Sequence, residues 1–421
     1  HSEPSNPYRA GIASLFTLEF YQAVLERLED DGVFGQWIQG YDVAPQTIRT
    51  IIATLRTVFP SVEIWETLAG TDLLLVARKT PHQPDIGELR ERLQTDPYRA
   101  ALQEVWRVDG VEGLYAGFVA SDGVSAEVLR AELPRLNTDD RVRIEWEFAR
   151  TVGRRNLFSL KELRRYATEH NFHHPPGVEG INWHLVQENR TTRSVGEGRR
   201  PSRPRKPTSA RAWRNLARFH YAELNFPAAF EAWSQQDGGP VGPMDVTMLA
   251  ELLVEGAIES APEYIAALRP TESNAMQGRW HFRNKRFGEA AGALLKAIEL
   301  WRDDPWAYRP LMGRALDVLL DLAKQDPAFG KVAFLALSKP FAAYSLNSQR
   351  LDVRARIGLL VDNELCLEAL APIEPNPYWS RWYLRARAQC YEKHGHPLAA
   401  DAASDLAQFN AAQPRKFTDG L

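Results

Sequence analysis

The sequence predicts an α/β fold that gives way to an all-α one, and three observations predict it. Through about residue 80, apolar runs alternate between strand and helix spacing, as in the second half of a doubly wound sheet that ends in an antiparallel hairpin. From Ser209 onward, apolar and small residues recur only at helical spacing, in a repeating unit. Between these regions, Arg190 to Pro207 (RTTRSVGEGRRPSRPRKP) is basic and proline-rich, with Val195 as its one core-forming residue, and reads as a solvated linker.

Taken in order, Thr17 caps a helix whose apolar stripe is Tyr21, Val24, Leu25 and Leu28, closed at Asp31-Gly32. Val33 to Ile38 is a short apolar run, hence a buried strand. Ile48, Ile51, Ile52, Leu55 and Phe59 mark a second helix, stopped by Pro60. Val62 to Thr67 and Leu73 to Ala77 are strands joined by the turn Ala69-Gly70-Thr71. Leu89 to Trp106 is helical with a break at Pro97. Arg141 to Phe148 alternates strictly, with Val142, Ile144, Trp146 and Phe148 on one face, and predicts a half-buried strand. Ser159 and Glu162 form a capping box ahead of Leu160, Leu163 and Tyr166.

In the helical part, Trp213, Leu216, Ala217, His220, Ala229 and Trp233 define one helix-turn-helix unit. Gly278, His281, Ala290, Leu294 and Ala297 repeat its offsets, as do Ala388, Tyr391, Ala400 and Ala407. Small residues at these offsets let two helices approach closely. The pattern resembles the tetratricopeptide repeat, a unit of about 34 residues. Pro310 to Ile373 is helical without a clean repeat, and the tryptophans of this half (Trp213, Trp233, Trp280, Trp301, Trp306, Trp379, Trp382) read as repeat core.

At 421 residues, with 51 Lys and Arg against 54 Asp and Glu, the chain carries a formal charge of −3, which does not point to nucleic acid or an anionic membrane surface. Its two cysteines, Cys366 and Cys390, make no disulfide framework and suggest a reducing compartment, so a cytoplasmic location is expected. No apolar run approaches the roughly 18 residues of a membrane span. His170, His173 and His174 match no standard zinc spacing, and no metal is assigned. Asp139-Asp140 reads as part of a side-chain-rich turn.

The segment Glu3-Pro4-Ser5-Asn6-Pro7, the loop Tyr8 to Ala13, Leu15-Phe16-Thr17 and Phe20-Tyr21 together resemble the spermidine synthase family of polyamine aminopropyltransferases, in particular its bacterial spermidine synthase-like members. Gly32 to Trp37 is similar to the family's next strand, and Leu136-Asn137-Thr138-Asp139-Asp140-Arg141 to a motif of that subgroup. The resemblance covers residues 2 to 80 well and 81 to 150 loosely. It implies a Rossmann-like fold of the methyltransferase and spermidine synthase type, and transfer of an aminopropyl group from a sulfonium donor to an amine.

That chemistry needs a carboxylate at a strand end to hold a cationic amine and accept its proton. By the resemblance, Glu3 takes the catalytic position and Asn6 that of a second substrate-binding carboxylate, while Tyr8, Gln39 and Tyr41 line the acceptor groove. Glu3 moves the charge outward by one methylene, and Asn6 removes an anion that would bind an ammonium. Asn6-Pro7-Tyr8 also partly resembles the Asn-Pro-Pro-Tyr signature of amino methyltransferases. No G-x-G-x-x-G occurs. The family's glycine-rich cofactor turn is therefore expected upstream of residue 1, with decarboxylated S-adenosylmethionine or S-adenosylmethionine as co-substrate of a longer parent, in some members behind a membrane domain, and no cofactor held by this stretch alone.

The expected organisation is residues 1–80 as the C-terminal half of the Rossmann-like domain, 81–186 as an accessory α+β segment, 187–208 as the basic linker, and 209–421 as the tetratricopeptide-like domain. Expected partners are a small amine or polyamine, a protein bound by the helical repeats, and a second copy through an open sheet edge, but not nucleic acid. Two other functions fit the same residues: an S-adenosylmethionine-dependent methyltransferase, and a non-catalytic scaffold with a repeat-based interaction domain.

Overall fold

In the computed structural model the sheet of the N-terminal region has four strands, β1 (Val33–Ile38), β2 (Ser61–Leu68), β3 (Asp72–Arg78) and β4 (Phe118–Ala120), in the order β1-β3-β2-β4. The structure describes residues 1–4, 9, 11–68, 70–132, 135–154, 157–361, 365–374 and 376–413. They divide into two compact units, His1–Asp245 and Val246–Leu421. The chain is mostly helical.

All neighbouring strands of the first unit pair antiparallel. β1 and β2 consequently run in the same direction with β3 inserted between them, because the helix Pro45–Val58 carries the chain across before the hairpin folds back. Val62, Ile64, Leu73, Leu75 and Ala77 are fully buried and pack in one core with Ile48, Ile51, Ile52 and Leu55 of that helix. The expected first helix is Leu18–Arg27, with the Thr17 hydroxyl accepting from the Phe20 N–H. Ala69 of the expected turn lies outside the described residues.

Asn137 is the knot of this unit. It is fully buried; its side-chain amide donates to the Ala13 and Phe16 carbonyls, its Oδ1 accepts from the Ile144 N–H, and its own N–H donates to the Thr54 hydroxyl. Four chain segments meet at one residue whose donors and acceptors are used in place of water. The neighbouring Thr138–Arg141 bridge closes the expected turn, in which the Asp139 N–H donates to Glu19.

Two expectations are corrected. Arg141 to Phe148 is not a strand: Arg143–Ala149 is helical, with Ile144 and Phe148 buried four residues apart and Trp146 71% exposed. The segment from 187 is not a linker throughout: Trp183–Gly196 is one helix, burying Glu188, Asn189, Thr192 and Arg193. The helical hairpin that follows also belongs to the first unit, where Arg214 pairs with Glu188 and Arg218 with both Glu188 and Asp245.

All three expected helix pairs are hairpins: Ala210–Ala222 with Phe226–Ser234 in the first unit, Pro270–Arg283 with Phe287–Trp301 and Arg381–Lys393 with Ala399–Ala411 in the second. Each first helix ends on the same device. Leu224, Lys285 and Gly395 adopt positive φ, and the next N–H reaches back five residues to the carbonyl of His220, His281 or Tyr391, at 2.9 Å in each case. This is a Schellman closure. In the third hairpin the second helix starts two residues later, so the buried counterpart of Ala229 and Ala290 is Ala402, and the expected match, Ala400, is exposed.

The close approach within a hairpin has a direct reading at Gly278, where a Cβ would lie 2.4 Å from Leu294 Cγ. Gly278→Ala should lower unfolding free energy by about 1–3 kcal/mol through overpacking. Gly288→Ala, with nothing within 4 Å of its Cβ, should show no loss. Urea unfolding of the two variants checks this; equal stabilities would contradict it.

Candidate functional site

The carboxyl ends of β1 and β2 and the start of β3 form one edge of the sheet, the edge at which α/β sheets bind ligands. Ser2 pairs in parallel with Gln36: its N–H donates to Gly35 O at 2.8 Å and its carbonyl accepts from Trp37 N–H at 3.0 Å. Glu3 is exposed immediately beyond this bridge. Gln39 and Tyr41 follow the end of β1. Gln39 is buried, its Nε2 donates to Tyr41 O at 3.0 Å, and its Oε1 has no hydrogen-bond partner among the described residues. The Tyr41 side chain is half exposed. Asn6 and Tyr8 lie outside the described residues. Glu3, Gln39 and Tyr41 thus leave the sheet along the same edge.

Sequence reasoning missed Asp72, the first residue of β3. Its carboxylate accepts from the Gly40 N–H and the Trp37 indole, pinning the loop that carries Gln39 and Tyr41. The loop passes so close to the hairpin that a Cβ on Gly40 would sit 1.7 Å from the Thr71 carbonyl oxygen. Gly40 was the available signal, since only glycine permits that approach.

A second group gathers at this edge. A cavity of about 1070 Å³ opens beside Glu66 and Gly70, and Lys161, Arg164, Arg190, Arg199, Arg200 and Arg203 line it. Glu66 is the one carboxylate among the described lining residues. It accepts from the Gly70 N–H and from Arg164. Arg164 also donates to Phe118 O at 2.7 Å, and Arg190 to the Ala116 and Phe118 carbonyls at 3.3 and 3.4 Å. Burial, compounded by Arg164, pushes the Arg190 guanidinium down to about 9. Behind it, Arg193 donates to the Glu66 and Thr67 carbonyls and stacks 3.9 Å from the Trp106 ring centre. The N-terminus of the helix Leu160–Glu169, capped by Ser159, faces the same space. Chemically the cavity is cationic, six basic side chains against one carboxylate. The sequence hid it because the helix Trp183–Gly196 turns polar residues inward and so lacks an apolar stripe.

The histidine cluster divides: the His173 and His174 rings lie 3.9 Å apart, and His170 packs elsewhere. His170 stacks on Tyr166 with its Nδ1 at 2.9 Å from Tyr166 O, and His174 stacks on Trp183. In the second unit Cys366 and Cys390 form one disulfide, which runs against the reducing compartment that the cysteine count suggested. A ring nitrogen of His394 lies within 4.8 Å of both sulfurs. Among the described residues no helix is long and apolar enough to cross a membrane. No family model, curated protein or solved structure matches this chain.

Burial raises the Asp72 carboxyl above its ordinary value of 3.8, outweighing the Gly40 N–H and the charge of Arg199. A carboxyl whose pKa is higher folded than unfolded holds more protons in the folded state across that interval, so stability falls as pH rises through it. Asp72→Asn keeps an acceptor for Gly40 and cannot ionise. Relative to the parent, this variant should gain stability as pH rises from about 3.8 and then level off. Parallel stability–pH curves for the two proteins would contradict this.

Proposed function

We propose that the first unit is a transferase domain of the spermidine synthase-like type, moving an alkyl group, aminopropyl in the first place, from a sulfonium donor to an amine. The observation that carries the reading is the parallel pairing of Ser2 with β1, after which Glu3 leaves the sheet along the edge that also presents Gln39 and Tyr41. The crossover from β1 to β2, with β3 folded back between them, supports a sheet of the Rossmann-like sulfonium-cofactor kind.

In this reading the donor, decarboxylated S-adenosylmethionine or S-adenosylmethionine, supplies an electrophilic carbon beside its sulfonium. The acceptor amine is nucleophilic only when neutral. Glu3 accepts its proton and holds the cationic acceptor. Gln39 Oε1, a buried acceptor without a partner among the described residues, offers an ammonium a hydrogen bond, and Tyr41 follows it on the same loop. Asp72 acts through the Gly40 loop and is a positioning residue.

A second reading, a non-catalytic scaffold that binds a protein, is favoured by the three helix hairpins with their shared closure and by the exposed Trp306 and Trp379.

The two readings separate in a transfer assay on the longer parent expected to carry the glycine-rich cofactor turn, with putrescine as acceptor and each donor in turn. Aminopropyl product, falling by about 100-fold in Glu3→Gln, is the expected result. Methyl product would move the assignment to an amine methyltransferase. Neither product from the folded parent would overturn the transferase reading and leave the scaffold.

A further inference from the structure

We propose that the basic cavity at the carboxyl edge binds a multiply phosphorylated small molecule. This stands on the cavity alone and does not depend on the alkyl-transfer reading, whose acceptor is a cation.

The argument is one of unbalanced charge. Six cationic side chains face one carboxylate, and that carboxylate is already engaged by Arg164 and the Gly70 N–H. Arg199 and Arg200 have acidic neighbours behind the wall, Glu197 at 3.7 Å and Glu223 at 2.6 Å. Lys161 and Arg203 meet no carboxylate among the described residues; Arg203 lies 5.8 Å from the Phe219 ring centre. Among the described residues Arg190 donates its hydrogen bonds to main-chain carbonyls, and its carboxylate neighbour, Glu66, is shared with Arg164 and Arg193. Guanidinium groups withdrawn from water without a counter-charge are costly, and an anion brought from solution removes that cost. The two faces carry different parts of the receptor. Lys161 and Arg164 sit in the first two turns of a helix whose N-terminus faces the cavity, where main-chain dipoles favour an anion. The arginines from Arg190 onward come from a second segment, and Arg190 meets Arg164 at the Phe118 carbonyl oxygen.

Several cations from two chain segments lining one cavity suit a ligand with several anionic oxygens, and guanidinium groups match phosphate geometry. The volume, about 1070 Å³, is at the upper end for a small-molecule site and admits a nucleotide. Phe158 adds an aromatic side chain to the lining. The charges converge on a concavity and do not run along an exposed stripe, and the chain as a whole is acidic, which disfavours a nucleic acid.

Calorimetric titration of the full chain with tripolyphosphate, ATP and a single-stranded oligothymidylate tests this, together with the double variant Lys161→Ala/Arg203→Ala. Both residues are exposed, so the variant keeps its fold, and an unchanged melting temperature verifies that. Tripolyphosphate and ATP should bind, and the double variant should weaken both by at least about tenfold. Tighter binding of ATP than of tripolyphosphate would mean that the nucleoside is read as well; equal binding would mean that the phosphate chain alone is recognised. Either supports the proposal. No binding of the two small polyanions, equal affinity in the double variant, or tighter binding of the oligothymidylate would overturn it.

Discussion

A single carboxylate, that of Glu66, holds the carboxyl edge of the sheet together. Its oxygens take the Gly70 N–H of the hairpin turn and the Arg164 guanidinium, and its main-chain carbonyl takes Arg193. The β2–β3 hairpin, the helix Leu160–Glu169 and the helix Trp183–Gly196 are therefore joined at one residue that is 5% exposed. Three guanidinium groups, from Arg164, Arg190 and Arg193, crowd this residue, and Arg190 relies on main-chain oxygens for its hydrogen bonds. Removing one partner of such a cluster leaves buried charge uncompensated, which costs more than the pair contributes. The edge is built around an excess of positive charge, and the cavity is where that excess faces solvent.

The same edge supports two different chemistries side by side. Around Gln39, Tyr41 and Asp72 the available groups are acceptors, suited to an amine. Around Arg190 and Lys161 they are donors, suited to an anion. Arg199 joins the two: its guanidinium donates to the Thr71 hydroxyl at 3.2 Å while lining the cavity. A ligand in the cavity would thus touch a residue that also steadies the hairpin beneath the Gln39 loop. The helix hairpins follow a separate logic, in which a positive-φ residue ends the first helix and small residues let the second lie against it.

Legibility in the sequence followed the apolar pattern. β1, the β2–β3 hairpin, the helix Pro45–Val58 and the three helix hairpins are all marked by apolar or small residues at the period of their structure, and all were readable. Arg141 to Phe148 failed because its alternation contains a second period: Ile144 and Phe148 are also four apart, and the Asn137 side chain receiving the Ile144 N–H starts a helix there. The two-residue offset in the third helix hairpin was invisible because Ala400 and Ala402 are both alanine, and only the later helix start separates them. Of the candidate site, the strand-end position of Gln39 and Tyr41 followed from β1. Asp72 and the arginine cavity did not, since both depend on polar residues buried by distant segments, for which a linear pattern carries no signal.

The most direct test of a ligand site at this edge is hydrogen exchange of the full chain with and without tripolyphosphate. The account predicts slowed exchange concentrated in residues 159–164 and 190–204 and in the turn at Gly70–Thr71, with the second unit unchanged. Uniform or absent protection, or protection centred on the second unit, would contradict it.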